Sequence, residues 1–130
     1  MKIAIIGQGY VGRSIAEASA GAGHSVIGFD TDSSVISTIK INGDYRATTD
    51  ASLIGSAEVV VIAVPTPLNR VGEPDLALLM SAIESIAPFL GEDTLVINES
   101  TSYIGTLRNV IKPILDKYFT LSIFSISDFC

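Results

Sequence analysis

The sequence has very few of the residues that build disulfide frameworks or metal centres. Its 130 residues include one cysteine, one histidine and no tryptophan. A single cysteine cannot form an internal disulfide, which suits a reducing cytoplasm. His24 has no second histidine with which to share a metal ion, so we expect a structural loop histidine and no metal site.

Basic residues are scarce too, and long apolar runs are missing. Lysine and arginine total 8 against 14 aspartates and glutamates, so the net charge is −6. Without a basic cluster, nucleic acid and anionic membranes are poor partners. No run approaches the ~18 apolar residues of a membrane span, and Arg13 and Glu17 interrupt any signal-peptide core. We therefore expect a soluble, cytoplasmic protein.

Hydrophobic residues are nevertheless abundant, at 48% of the chain with a mean hydropathy of +0.49. This is high for a chain with the size of one soluble domain. Parallel sheets covered by helices have such a composition, because their strands are buried on both faces.

The most informative pattern runs from Lys2 to Asp30. A short apolar run, Ile3–Ile6, leads into the sequence GQGYVG at 7–12, and a helical segment, a second apolar run and Asp30 follow. Strand, glycine turn, helix, strand and acidic residue in this order are typical of a dinucleotide-binding βαβ unit. A glycine turn alone would be weak evidence, because such turns also serve packing, but here every flanking part is present.

Each part of this pattern has a physical reason. Gly7 permits a sharp turn out of the strand, Gly9 lets a pyrophosphate approach the backbone, and Gly12 lets the helix pack close to the sheet. The helix N-terminus offers free N–H groups to the phosphates. Asp30 can accept both ribose hydroxyls and would repel the 2′-phosphate of NADP, so the pattern favours NAD. A flavin or an empty site is the alternative.

Periodicity and capping residues predict alternating strands and helices along the rest of the chain. The first helix should face the sheet with Ile15, Ala18, Ser19 and Ala22. The predicted elements are a helix at 11–22, a helix from Thr31-Asp32-Ser33 to about residue 41, a strand at 44–49, a short helix capped by Asp50, a buried strand at 58–64, a helix capped by Asp75 with Leu76, Leu79, Ile83 and Ile86 on one face, a strand at 94–98, a helix at 107–115 bent or shortened by Pro113, and a last strand at 119–126.

These elements predict a single α/β domain over residues 1–130. Its fold class is a doubly wound, mostly parallel sheet, a Rossmann-like dinucleotide-binding domain. Ligands in such sheets lie beyond the carboxyl ends of the strands. The polar and glycine-rich segments at 7–12, 64–68 and 99–101, together with Asp30, all fall at that edge.

The same segments resemble a known family. GQGYVG, FDTD, RATTD, VPTPLNRVGEPDL and NESTSYIGTLRNVI occur in this order from residue 7 to residue 111. They resemble the NAD-binding domain of the UDP-glucose/GDP-mannose dehydrogenase family, and the likeness runs to about Pro113. The EST-S-Y sequence is similar to that of bacterial members acting on UDP-N-acetylhexosamines, such as UDP-N-acetylmannosamine dehydrogenases of polysaccharide biosynthesis, as much as to that of UDP-glucose 6-dehydrogenases.

The resemblance implies an oxidoreductase that converts the C6 alcohol of a nucleotide sugar to a carboxylate in two NAD-dependent steps. A cysteine in a downstream domain carries the covalent intermediates in this family. By resemblance, Thr101 would help to order water or the sugar. The cofactor-binding residues that the resemblance implies are Gly7, Gln8, Gly9, Tyr10, Val11, Gly12, Asp30, Val64, Pro65, Thr66, Pro67, Glu99, Ser100 and Thr101.

The sequence also departs from the family pattern. The family carries a longer segment between the helix after Asp30 and the RATTD sequence, whereas in this chain residues 41–45 connect the two directly. Val35 replaces the usual lysine or arginine five positions after the ribose acid, and Ile104 replaces a proline. The similarity fades after Pro113, and Cys130 has none of the surroundings of a nucleophilic cysteine.

Three functional hypotheses follow. The chain is the NAD-binding domain of a nucleotide-sugar dehydrogenase and is inactive alone, or it is a truncated NAD-binding or interaction module that self-associates through the apolar segment 119–129. A self-sufficient small oxidoreductase is disfavoured, because no Lys, His or Tyr acid–base group accompanies the predicted site.

Overall fold

The sheet of this domain is built from parallel strands. The computed structural model describes residues 1–40, 43–118 and 123–125, the last three as backbone only. The six strands of the described sheet lie in the order β3-β2-β1-β4-β5-β6, and all pair in parallel. This is the strand order of the dinucleotide-binding fold and confirms the predicted class. The strands are β1 Lys2–Ile6, β2 Ser25–Phe29, β3 Tyr45–Thr48, β4 Val59–Ile62, β5 Leu95–Asn98 and β6 Ile123–Ser125.

Helical segments connect the strands. Two 3₁₀ turns, Ala51–Ser56 and Ala87–Phe89, lie in the connections before β4 and β5. Within the described ranges, no helix has the length and apolar content needed to cross a bilayer. The α-helices are α1 Tyr10–Gly21, α2 Ser33–Ser37, α3 Ala77–Ile86 and α4 Lys112–Leu115, the last preceded by a π-helical turn at Leu107–Ile111.

Two apolar layers cover the two faces of the sheet. One contains Ala16 of α1 packed with Ile5 and Val26 of the central strands. The larger one contains Leu79 and Ile83 of α3, packed with β-strand residues and with α4. The predicted buried face of α3 is confirmed, because Leu76, Leu79, Ile83 and Ile86 are all buried.

The predicted face of α1 was partly wrong. The buried residues of α1 are Gly12 and Ala16, one turn apart, whereas Ala18 and Ala22 are exposed. The close approach of Gly12 to the first strand sets the rotation of the helix, and residues at i and i+4 then share the buried stripe. Small residues stand all around α1, so the sequence pattern alone did not reveal which stripe would be buried.

Capping aspartates place the short helices. Asp32 caps α2 by accepting from Ser34 N at 2.8 Å, and Asp50 caps the first 3₁₀ turn by accepting from Ser52 N at 2.9 Å. Asp75 accepts from Ala77 N at 2.9 Å at the start of α3. The helix after Asp32 ends at Ser37, well before the predicted residue 41; residues 41 and 42 lie outside the described residues.

The last helical segment continues through Pro113. The N–H of Lys112 bonds to Leu107 O, five residues back, so the segment begins as a π-helical turn and becomes α-helical at Lys112. Proline is tolerated in the first turn of an α-helix because the N–H groups there lack intrahelical partners. Of the predicted last strand, Ile123–Ser125 pairs with β5; residues 119–122 and 126 lie outside the described residues.

Candidate cofactor site

The glycine turn after β1 is fixed by tight contacts within the chain. Gly7 has φ +91, and a Cβ at this position would lie 2.6 Å from Ala63 O. Its N–H donates to Phe29 O at 2.8 Å, which joins the turn to the end of β2. A side chain at Gly7 would be strained in conformation and would collide with backbone.

Gly12 brings α1 against the turn. A Cβ on Gly12 would lie 1.8 Å from Gly7 O and 3.5 Å from Ile5 Cγ2. Backbone cannot move aside as a flexible side chain can, so only glycine fits here. The third glycine of the motif therefore has the packing role that the sequence predicted.

Gly9 is different, because nothing in the described structure occupies the space beside it. A Cβ built there meets no atom within 4 Å, and its φ of −68 is open to any residue. Gly9 is the N-cap of α1, and its carbonyl accepts the helical N–H of Arg13 at 3.0 Å. The helix N-terminus thus opens onto free space at the residue where a bulky side chain would obstruct an anion.

Asp30 lies beside this turn at the end of β2 and is half-buried. Its Oδ2 accepts from Gln8 N at 2.8 Å, and its Oδ1 accepts from Asp32 N at 3.0 Å. A carboxylate has about four acceptor positions, so Asp30 is held in place and can still accept hydroxyl groups of a ligand.

A cleft of ≈ 290 Å³ opens between the glycine turn, the end of β2 and the exposed face of α3. Gly9 and Asp30 form its polar side. Its apolar side is formed by Val35, Val64 and Leu78, which suits a flat ring. Leu78 was not among the predicted site residues, although its apolar side chain on the face of α3 opposite the core was a signal for it.

Two carboxylates line the cleft where the chain leaves β2. Asp32 stands at the cleft beside Asp30, and its pKa is lowered because its carboxylate accepts bonds from the hydroxyl and the N–H of Ser34. Asp32 therefore remains ionised through neutral pH. Fixed negative charge at this point opposes a second negative group on a ribose.

The segment after β4 is tied to the segment after β5. The Thr66 hydroxyl donates to Thr101 O, and Ser100 Oγ accepts from Val64 N at 3.0 Å. Pro65 and Pro67 are exposed at the same edge, and Pro67 O accepts from Asp75 N at 2.7 Å. The structure brings the two predicted segments together as one edge of the site.

The three residues after β5 differ in where their side chains lie. Ser100 is buried, and its N–H and carbonyl both bond to the side chain of Asn98, at 3.2 and 3.3 Å. Glu99 and Thr101 are exposed. Ser100 thus shapes the loop from inside, while Glu99 and Thr101 present their side chains to the solvent-facing edge.

The residues inside the glycine turn also divide. Tyr10 is 90% exposed and Val11 is 54% exposed, so both flank the open end of α1. Gln8 is fully buried, and its side chain points into the domain and away from the cleft. Among the residues that the structure describes, no cluster of three His, Cys, Asp or Glu side chains could hold a metal ion.

Comparison with known proteins agrees with this geometry. The family model for the UDP-glucose/GDP-mannose dehydrogenase family, NAD binding domain, matches residues 1–43 and 35–127. The chain belongs to this family. The two matched ranges overlap at residues 35–43. As a member of the family, the chain is an NAD-binding domain with the Rossmann fold.

Curated relatives cover nearly the whole chain. Protein CapL of Staphylococcus aureus is 36% identical over 130 residues, which cover 89% of this chain and 30% of CapL. The UDP-N-acetyl-D-glucosamine 6-dehydrogenase of Pseudomonas aeruginosa is 32% identical, with 91% and 31% covered. The chain therefore spans about 30% of the length of these relatives.

Solved structures show the same fold. The ternary complex of GDP-mannose dehydrogenase from Pseudomonas aeruginosa matches with a TM-score of 0.83 at 26% identity. The match covers 96% of this chain and 36% of that one. The relationship to nucleotide-sugar dehydrogenases is thus visible both in sequence and in structure.

Proposed function

We propose that the chain holds NAD in the cleft beside Gly9 and Asp30 and serves as the cofactor domain of a nucleotide-sugar 6-dehydrogenase. Relatives include proteins named UDP-N-acetyl-D-glucosamine 6-dehydrogenase and UDP-N-acetyl-D-mannosamine dehydrogenase, which favours a UDP-sugar as the substrate of the whole enzyme. The observation that carries the proposal is the open space beside Gly9. Its missing side chain serves no contact within the described structure, yet it clears the helix N-terminus next to a fixed carboxylate.

Each part of the site has a role in this proposal. The N–H groups at the start of α1 hold the pyrophosphate, and Asp30 accepts the ribose hydroxyls. The paired segments containing Thr66 and Thr101 border the nicotinamide end, where Thr101 would order water or the sugar. NAD, when bound, accepts the hydride from the sugar alcohol.

We propose that residues 1–130 form one cofactor domain that binds NAD without oxidising a sugar by itself. The covalent chemistry of the family needs an activated cysteine. Cys130 lies outside the described residues, and its sequence surroundings do not match that nucleophile. Three large apolar side chains are exposed: Tyr10 at 90%, Leu68 at 69% and Ile104 at 91%. Their exposure supports the proposal that further protein covers the edge of the domain beside the cofactor.

Two further proposals concern setting and partners. A cytoplasmic location accords with NAD chemistry and with the single cysteine. Self-association through the apolar segment 119–129 is the alternative function as an interaction module, and light scattering of the purified chain over a concentration series tests it. A monomer at all concentrations would exclude that alternative.

Substitution of Gly9 tests the site. We expect Gly9→Ala to lower the free energy of unfolding by no more than about 1 kcal/mol, because alanine is a poorer N-cap than glycine but its Cβ meets no atom of the described chain. It should weaken NAD binding tenfold or more, on the order of a lost phosphate contact. Calorimetric titration measures the affinity. Gly21→Ala is the matched control, since that Cβ is also free of contacts but lies at the far end of α1. Equal NAD affinity in both variants would contradict the proposed site.

A further inference from the structure

The buried side chain of Gln8 links the cofactor turn to the edge of the sheet. Its Nε2 donates to Ile5 O at 2.9 Å and to Gly7 O at 3.2 Å, on either side of the bend. Its Oε1 accepts from the hydroxyl of Tyr45. The amide group is thus satisfied on both ends inside the domain, as a buried polar group must be.

Gly28 makes room for this amide. A Cβ on Gly28 would lie 2.5 Å from Gln8 Cδ and 2.5 Å from Oε1. Gly28 stands on β2, between β1 and β3 in the sheet. Three positions that are distant in sequence therefore fit together: a glycine on β2, a tyrosine on β3 and a glutamine in the turn after β1.

The same glutamine also bonds to Asp30, the carboxylate that is proposed to accept the ribose hydroxyls of NAD. The main-chain N–H of Gln8 donates to Asp30 Oδ2 at 2.8 Å. The side chain of Gln8 is held by its hydrogen bond with Tyr45, and the main chain of Gln8 is held by its hydrogen bond with Asp30. Gln8 is therefore the residue that connects the Tyr45 hydroxyl to both the turn and the Asp30 carboxylate.

Ring packing alone does not account for Tyr45. The ring is buried against the α1 side of the sheet, in the layer that contains Ile5 and Val26, and phenylalanine would fill that space equally well. What phenylalanine lacks is the hydroxyl that meets Gln8. Tyr45 is also the first residue of β3, directly after the shortened bridge, so the edge strand begins at this contact.

We infer that Tyr45 is a positioning residue for the NAD site: its hydroxyl orients Gln8, and Gln8 in turn sets the glycine turn and the Asp30 carboxylate. Tyr45 itself does not touch the cofactor. The inference rests on the proposed function, because it concerns the same cleft. It assigns a role in cofactor affinity to an edge-strand residue that lies outside the glycine motif.

The test compares Tyr45→Phe with Thr94→Val. Both substitutions remove one buried hydroxyl, but Thr94 bonds to Ala57 O and Gly91 N just before β4 and β5, at the amino-terminal ends of these strands and away from the cleft. We expect Tyr45→Phe to weaken NAD binding about threefold to tenfold, the range of one hydrogen bond, whereas Thr94→Val keeps wild-type affinity. Hydrogen exchange of the main-chain N–H of Gln8, measured by NMR on the free chain, should accelerate only in Tyr45→Phe.

A second variant makes the coupling explicit. Gln8→Met removes the amide at similar size, so adding Tyr45→Phe to it should weaken NAD binding no further. Wild-type affinity and unchanged Gln8 exchange in Tyr45→Phe would overturn the inference, as would an equal loss of affinity in Thr94→Val. A wild-type chain that does not bind NAD would instead contradict the proposed function, and the exchange measurement would still decide the role of Tyr45.

Discussion

The three glycines of the turn lack side chains for different reasons. Gly7 needs both its positive φ and its space against Ala63, and Gly12 has Gly7 O where a Cβ would be. Gly9 is required by neither conformation nor packing. Two of the three therefore maintain the fold, whereas Gly9 leaves open space at the start of α1; the motif predicted this division, and the structure supplies the contacts that require Gly7 and Gly12.

At the scale of single residues, Tyr45 makes the stability of the domain depend on pH. Burial raises the pKa of its hydroxyl above the ordinary value of 10.0. A raised pKa in the folded state means that the unfolded chain loses this proton first, so the stability contribution is complete below about pH 10 and is lost as pH rises through the folded pKa.

We therefore expect the free energy of unfolding to fall more steeply above pH 10 in the wild type than in Tyr45→Phe, which has no proton to lose there. Urea unfolding at a series of alkaline pH values measures the slope. Tyr103→Phe, at an exposed position, is the control and should keep the wild-type slope. Parallel curves for the wild type and Tyr45→Phe would show that the buried hydroxyl does not titrate as described.

At the scale of elements, one serine joins two strand ends. Ser100 Oγ accepts from Val64 N at 3.0 Å and donates to Ile62 O at 3.4 Å, so the segment after β5 holds the segment after β4. These segments form the edge where Thr66 and Thr101 meet.

Ser100→Ala should lower the free energy of unfolding by about 1–2 kcal/mol, because it leaves the Val64 N–H without its acceptor in a partly buried position. Ser85→Ala is the matched control, since that hydroxyl bonds to Ala82 O within its own helix; its effect should stay within about 0.5 kcal/mol. Denaturant unfolding measures both. Equal effects would mean that the bond between the loops contributes little.

Element types were more predictable than element faces. The apolar runs identified β1, β2, β4 and β5, and aspartates identified helix starts, because period and capping are local properties of sequence. The buried stripe of α1 was not predictable, since its rotation depends on the contact of Gly12 with Gly7 O. The sequence also did not indicate that α2 would end at Ser37.

The site was predictable as a place but not in its internal contacts. Topology requires the glycine turn, Asp30 and the segments after β4 and β5 to meet at one edge. Which side chains face inward depends on tertiary packing. Gln8 and Ser100 are buried in the domain, and the hydrogen bond between Gln8 and Tyr45 joins residues 37 positions apart. No periodic pattern in the sequence encodes that distance.

At the scale of the whole molecule, the charge distribution agrees with the choice of cofactor. The chain carries a net charge of −6, and two of its acids, Asp30 and Asp32, line the cleft. In the proposed site NAD would present ribose hydroxyls to these carboxylates, whereas NADP would present a phosphate that they repel. We therefore expect a preference for NAD that depends on Asp30.

Calorimetric titration of the 130-residue chain with NAD and with NADP tests the central claim most directly. We expect saturable NAD binding, NADP binding at least tenfold weaker, and a loss of NAD affinity of about tenfold to a hundredfold in Asp30→Ala, the range for hydrogen bonds to a charged group. Asp93→Ala, an exposed acid before β5, removes the same charge far from the cleft and should bind NAD like the wild type. A folded wild-type chain that binds neither dinucleotide, or an Asp30→Ala variant with unchanged affinity and selectivity, would contradict the account.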